Sequence, residues 1–235
     1  MGTTDSIHIV VKMIKDAWRK GLVASVLFLD VKGVFPSVAM DTLIHELQMR
    51  GVPKEHMEWV KRRNMGRKTK IVFDNYKSAP FNVDNGLDQG DAQSLILYIL
   101  YNANILLIPV WRNGEWTFIF VDDVALITTG ADFAEAHQKL KEMMEREGGV
   151  LAWVREHNCT FGIEKFQLLD AGRKTTPNPL GTGKRVPMHQ STLIIAGKRI
   201  KPVSHVKFLR INIDQGLWWK EQGAAALAKG TAWLL

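Results

Sequence analysis

The run FIFVDDVALI, residues 118–127, sets Asp122 and Asp123 side by side among eight apolar residues. A continuous core strand cannot carry that pair, because like charges repel and an unpaired buried carboxylate is costly to desolvate. The residues on either side, Phe118–Val121 and Val124–Ile127, have the apolar and β-branched composition of strands. Asp favours turns, so the segment reads as a hairpin turning on Asp122-Asp123. From these residues alone two readings stay open. The pair is a surface turn, or it belongs to a divalent-metal site in which a hard cation offsets carboxylates that otherwise repel. The metal reading requires a third acid.

LVASVLFLD, residues 22–30, is an apolar run of strand length that stops at Asp30. If this strand and the 118–121 strand share a sheet, Asp30 and Asp122 meet at one edge. Two cations held by such carboxylates clamp the attacking and leaving oxygens of an in-line displacement at phosphorus.

The rest of the chain supplies the layers that such a sheet needs. Ile7, Val10, Val11, Ile14 and Trp18 recur at helical spacing, and Gly21 ends that helix. Residues 37–51 read as a helix stopped by Gly51, and Pro53 opens a second, basic one. TKIVFDNYKSAPFNV is a hairpin around Asp74-Asn75, and the loop DNGLDQGDAQS feeds an apolar helix from Ser94. That apolar run, 94–111, is shorter than the roughly 20 residues of a membrane span and is broken by Asn102, Asn104 and Pro109. It reads as a buried helix. Residues 131–158 carry one apolar stripe and read as one helix. Residues 171–187 have loop composition, and GTGKR within them lacks the full phosphate-loop pattern. STLIIAGKRIKP reads as a hairpin, HVKFLRINID as one more strand, and the tail from Leu217 as the opening of a helix.

Charge points to a polyanionic partner. Lys plus Arg number 31 against 24 Asp plus Glu, a net +7, with a sequence pI near 9.5. Residues 54–70 carry seven Lys or Arg against two Glu, and residues 171–201 carry seven and no acid. Two basic tracts suit a long phosphate backbone better than a small ligand; a solvated helix face is the alternative for the first. Cys159 is the one cysteine, so no internal disulfide forms and a reducing, intracellular setting is expected, with neither a signal peptide nor a membrane span.

LFLDVKGVFPSV, NGLDQGDAQS, FVDD, HNCTFGIEKFQLLD and HVKFLRINID follow one another in the order of the palm motifs of reverse transcriptases. Together they resemble the non-LTR (LINE-type) retrotransposon polymerases, most closely the fungal Tad-like group, over nearly the whole chain. The resemblance implies an α+β fold: a reverse-transcriptase palm, mostly antiparallel sheet with helices on one face, with partial fingers and the start of a thumb. It divides the chain into the end of the N-terminal fingers (1–22), the first palm motif (23–40), a fingers insertion (41–83) and the next three palm motifs (84–170). A basic loop (171–187), palm and primer-grip hairpins (188–216) and the start of the thumb (217–235) follow.

The same resemblance implies RNA-directed DNA synthesis, with Asp30 and Asp122 binding two Mg2+ ions, Mn2+ being an alternative, and Asp123 supporting them. Lys165 matches a proton donor to pyrophosphate, whose plain alternative is a solvated lysine. Phe35 matches an aromatic gate that excludes a 2′-hydroxyl; on sequence alone a core aromatic comes first. Gln89 and Gly90 match the motif that positions nucleotide and template, with a simple turn as the alternative for Gly90. Implied partners are an RNA template, a DNA primer and dNTPs, with no membrane; oligomeric state is not legible. Cellular location follows as nucleus or cytoplasm if the element is active. Two departures stand out. The family's G-D-P-L-S is here Gly90-Asp91-Ala92-Gln93-Ser94, and Arg210 stands where the family has Gly, a strained substitute if positive φ is needed. Thr3-Thr4-Asp5 matches the end of a fingers motif, so a truncated copy is expected. Its alternative function is a degenerate, catalytically inactive nucleic-acid-binding remnant.

Overall fold

The structure, a computed structural model, describes residues 2–83, 85–178 and 183–234. It opens with α1 (Thr3–Arg19), β1 (Val23–Lys32), α2 (Met40–Met49) and α3 (Lys54–Asn64), followed by the short strands β2 (Arg67–Thr69), β3 (Val72–Phe73), β4 (Tyr76–Lys77) and β5 (Phe81–Val83). Then come α4 (Ala92–Asn102), β6 (Glu115–Phe120), β7 (Asp123–Gly130), α5 (Phe133–Glu145), α6 (Val150–Glu156), β8 (Thr160–Phe161) and β9 (Gln167–Ala171). Three hairpins close the chain, β10 (Thr175–Pro177) with β11 (Arg185–Pro187), β12 (Leu193–Ile195) with β13 (Lys198–Ile200), and β14 (His205–Phe208) with β15 (Ile211–Asp214), before α7 (Lys220–Leu234). No helix among the described residues is long and apolar enough to cross a membrane.

Two compact units divide the chain, one of Met1–Asp30, Ile108–Leu151 and Gly162–Leu235, the other of Val31–Leu107 and Ala152–Phe161. In the first, β6, β7, β1 and β9 form an antiparallel sheet in that order. Successive strand residues point to opposite faces. Ala24, Val26 and Phe28 of β1 join Val10, Val11, Ile14 and Ala17 of α1 and Val206, Phe208 and Ile213 of the last hairpin in one core. The intervening Val23 packs with Phe133 and Ala136 of α5. On that second face Ser25 Oγ donates to buried Asp170 Oδ1 at 2.7 Å, and His137 Nε2 of α5 lies 2.9 Å from the same oxygen. The α+β class is present, and its helices are distributed over both faces, because interior β1 must bury both.

In the second unit α2 packs against α3 and α4. Buried Glu46 accepts from Asn104 Nδ2 at 2.7 Å and pairs with Arg50, while Tyr101 accepts from Ala39 N at 3.3 Å and donates to the carbonyl of His157. The expected hairpin around Asp74 is two nested ladders, β3 with β4 inside β2 with β5.

Four local readings change. The 131–158 stripe breaks into α5 and α6, because Gly148 takes φ +65° and a Cβ on Gly149 would lie 2.7 Å from the Met143 carbonyl oxygen. HVKFLRINID, one strand by composition, is a hairpin turning on Leu209 (φ 48°) and Arg210 (φ 68°), within the stretch where the resemblance implies hairpins. The 171–187 loop carries the β10–β11 ladder; residues 179–182, including Gly181 and Thr182 of GTGKR, lie outside the described residues. The apolar run from Ser94 is not a buried helix throughout. It is helical to Asn102 and then 3-10 to Leu107, burying Leu97, Tyr98, Tyr101 and Ile105 but leaving Ile96 60% and Leu107 81% exposed.

Candidate active site

The hairpin that carries the acid pair turns one residue earlier than its sequence suggests, on Val121-Asp122 rather than Asp122-Asp123. Phe120 and Asp123 are cross-strand partners, so the turn consists of Val121 and Asp122, and Asp123 is the first residue of β7. Val121 has φ 58°, while Asp122 is not in the left-handed region, the pattern of a type II′ turn. A β-branched residue there is strained by an order of 1–3 kcal/mol and persists only where its surroundings over-determine it, a condition concentrated at functional sites. The β6–β7 ladder supplies that determination. Nothing in the sequence marks Val121 for this position, since its composition continues the strand.

Register then decides which acids meet. Asp30 lies directly opposite Asp123, not Asp122, at the end of the β1–β7 ladder. Opposed residues hold their Cβ atoms about 4.5–5.5 Å apart, and like charges there are destabilising. Asp122 sits next in chain on the exposed turn, while Asp123 is half-buried. Burial first, then the charges of Asp122 and Asp30, push the Asp123 carboxyl up to about 6. Asp123 thus feels both other carboxylates.

Lys165 reaches the same place from the 3-10 turn Ile163–Lys165 that leads into β9. Its Nζ lies 2.7 Å from Asp30 Oδ2, and this hydrogen bond and charge hold the ammonium above the usual lysine value. Gly162 N donates to the Asp30 carbonyl at 3.2 Å, fixing the turn to the end of β1. Four of the residues singled out by sequence therefore fall in the first unit around one sheet end. Among the described residues, no three His, Cys, Asp or Glu side chains gather at spacing suited to one metal ion. The donor chemistry nevertheless fits a hard cation: carboxylate oxygens, in excess of the Lys165 ammonium that pairs with Asp30.

Phe35, Gln89 and Gly90 belong to the second unit. Phe35 is half-buried, its ring centroid 5.6 Å from that of Tyr98. Its carbonyl accepts from Leu87 N, and the Val38 carbonyl accepts from Gly86 N, each at 2.8 Å. Gly86, which sequence reasoning passed over, has φ +88°, and a Cβ there would lie 2.8 Å from Pro36 Cα. Asn-Gly at 85–86 is a turn signal, but the close approach to Pro36 is a long-range contact. Gln89 and Gly90 are exposed; Gly90 takes φ +90° with open space where a Cβ would be, so the turn itself requires glycine. Arg67 Nη1 pairs with Asp88 at 2.5 Å on one side of this turn, and Arg63 Nη2 pairs with Asp91 at 2.9 Å on the other. Asp91 also caps α4, accepting from Gln93 N at 3.3 Å.

The family described as reverse transcriptase (RNA-dependent DNA polymerase) matches residues 2–213. The RNA-directed DNA polymerase from mobile element jockey of Drosophila funebris is 26% identical over 148 residues, which are 61% of this chain and 16% of that protein. The chain thus spans about a sixth of that relative. Apo telomerase from Candida tropicalis, truncated from its C-terminal domain, superposes with a TM-score of 0.59 at 14% identity over 93% of this chain and 39% of that one. Telomerase from Candida albicans, in complex with a TWJ fragment of telomeric RNA, gives 0.51 at 14% identity over 86% and 33%. At such identities these two structures speak to the fold alone.

Proposed function

The chain belongs to the reverse transcriptase (RNA-dependent DNA polymerase) family, and from that premise we propose that it is an RNA-directed DNA polymerase unit of a non-LTR retrotransposon, of the Tad-like kind. The observation that carries this reading is the meeting of Asp30 and Asp123 beneath the Asp122 turn, where burial and mutual repulsion raise one carboxyl to about 6. Such an excess of negative charge at a strained turn is costly to keep and is relieved by cations.

Members of the family use divalent metal ions. Two Mg2+ ions, or Mn2+, bound here would lower the pKa of a primer 3′-hydroxyl and neutralise the nucleotide triphosphate and the departing pyrophosphate. Asp30 and Asp122 would hold them, with Asp123 in support. Lys165 would donate a proton to the pyrophosphate, Phe35 would exclude a 2′-hydroxyl, and Gln89 with Gly90 would position nucleotide and template. The basic tracts at 54–70 and 171–201 would follow the phosphates of an RNA template and a DNA primer. The division into fingers, palm, primer grip and thumb proposed from the motifs accompanies this reading, as does an intracellular location.

The test is dNTP incorporation on a homopolymer RNA template with a DNA primer, comparing the chain with Asp122→Asn. Incorporation that needs Mg2+ and is lost in the variant is expected. Equal signal from both proteins removes the metal role. Salt-sensitive RNA binding without incorporation by either supports the silent nucleic-acid-binding remnant instead.

A further inference from the structure

The β3–β4 hairpin of the second unit exposes what a folded protein ordinarily hides. Ile71, Val72, Phe73 and Tyr76 are each more than half exposed. Phe73 and Tyr76 are cross-strand partners with ring centroids 5.2 Å apart and planes tilted by 38°. Ser78 N donates to Ile71 O at 3.0 Å and Ile71 N donates to Ser78 Oγ at 2.9 Å, extending the ribbon by one pair. Strand alternation puts Ile71, Phe73 and Tyr76 on one face and Lys70, Val72 and Lys77 on the other. An isolated two-stranded ribbon is marginally stable in water, so an uncovered aromatic pair at its tip contributes little to folding.

Charge narrows the occupant. Residues 67–83 contain Arg67, Lys68, Lys70 and Lys77 and the single acid Asp74. Arg67 is engaged with Asp88 and the Gly86 carbonyl, whereas no carboxylate among the described residues pairs with Lys68, Lys70 or Lys77. A ribbon is only about 4.8 Å across its two strands, so a lysine side chain on the far face reaches past its edge. Aromatic faces beside unpaired ammonium groups suit a ligand that offers flat π surfaces and phosphates together. Single-stranded nucleic acid does so; in a duplex the bases already stack on each other.

We infer that the β3–β4 hairpin is a base-stacking platform for single-stranded nucleic acid, with Phe73 and Tyr76 taking unpaired bases and Lys70 and Lys77 contacting phosphates. The inference rests on the polymerase reading only in expecting a nucleic acid, and it requires no metal and no nucleotide incorporation. Sequence-tolerant binding follows, because every base has a π face.

Fluorescence anisotropy of the full chain with labelled oligo-U and oligo-dT, over a salt series, tests this. Phe73→Ala and Tyr76→Ala should each weaken binding about tenfold with the salt slope unchanged, the range found for loss of one base–aromatic stack. Phe73→Trp should preserve affinity. Lys70→Gln and Lys77→Gln should each reduce the salt slope by about 0.7. Parental affinity in both alanine variants overturns the inference, as does an equal loss on a duplex, or a shift in sedimentation with RNA affinity unchanged, which would make the rings a contact between copies. Weakened binding by the ring variants in a chain that incorporates no nucleotide leaves the platform standing and removes the polymerase reading. Incorporation with parental binding by the ring variants does the reverse.

Discussion

Asp123 concentrates the electrostatic conflict of the site, and its consequence has a definite sign. Its carboxyl is raised to about 6 in the fold, above the ordinary 3.8. The stability tied to it is therefore full below pH 3.8 and is lost as pH rises through about 6. Asp123→Asn should stabilise the chain by roughly 2 kcal/mol at pH 7.5, allowing for the solvent that reaches a half-buried group, and change nothing at pH 4. Urea denaturation at both values checks this; equal effects at the two would show that Asp123 does not titrate as a strained acid. Glu115 is the opposite case. It is fully buried at the start of β6, yet Arg146 Nη2 at 2.8 Å, Val110 N at 2.9 Å and Asn113 more than offset the burial and hold its carboxyl below the ordinary value. Its contribution is present above 4.5 and lost as pH falls through the depressed value. Arg146→Ala should cost about 3–5 kcal/mol at neutral pH by leaving that charge unpaired, measured by the same denaturation.

Hairpin turns carry most of the departures from ordinary backbone. Leu209 and Arg210 both take positive φ between β14 and β15, the type I′ geometry that favours Asn-Gly. The expectation from sequence that Arg210 is a strained stand-in for glycine agrees with its φ of 68°. Arg210→Gly should raise stability by about 1 kcal/mol, seen as a melting rise of roughly 2–4 °C in a chain of this size. Gly86 is the reverse: φ +88° and the Pro36 backbone 2.8 Å from any Cβ leave no room. Gly86→Ala should destabilise by more than 2 kcal/mol and disturb Phe35, whose carbonyl receives the next amide; near-ultraviolet circular dichroism and thermal melting would report both. Helix and strand positions were legible where periodicity ran over several turns or residues, as in α1 and β1. The break at Gly148-Gly149 and the two-residue turn at Val121 were not, because neither alters the apolar pattern around it.

At the scale of the chain, the second unit has a built-in reporter. Cys159 is buried and free, and burial pushes its thiol up to about 11. A thiol reagent at pH 8 should therefore label it only when that unit opens, with a rate that climbs in step with unfolding by urea; immediate labelling in native buffer would show that the residue is accessible. By itself the sequence determined the apolar strands beside the acids, though β1 runs on past Asp30 to Lys32 and Asp123 opens β7, together with the amphipathic first helix, the basic tracts and the order of the motifs. Each of these is a local pattern, carried by residues that are neighbours along the chain. Only tertiary structure decided that Asp30 faces Asp123, that Lys165 pairs with Asp30, and that the Phe73–Tyr76 rings stay uncovered. Those outcomes depend on the pairing of distant segments, where a slip of one residue sends every side chain to the other face, and no local composition records which register wins.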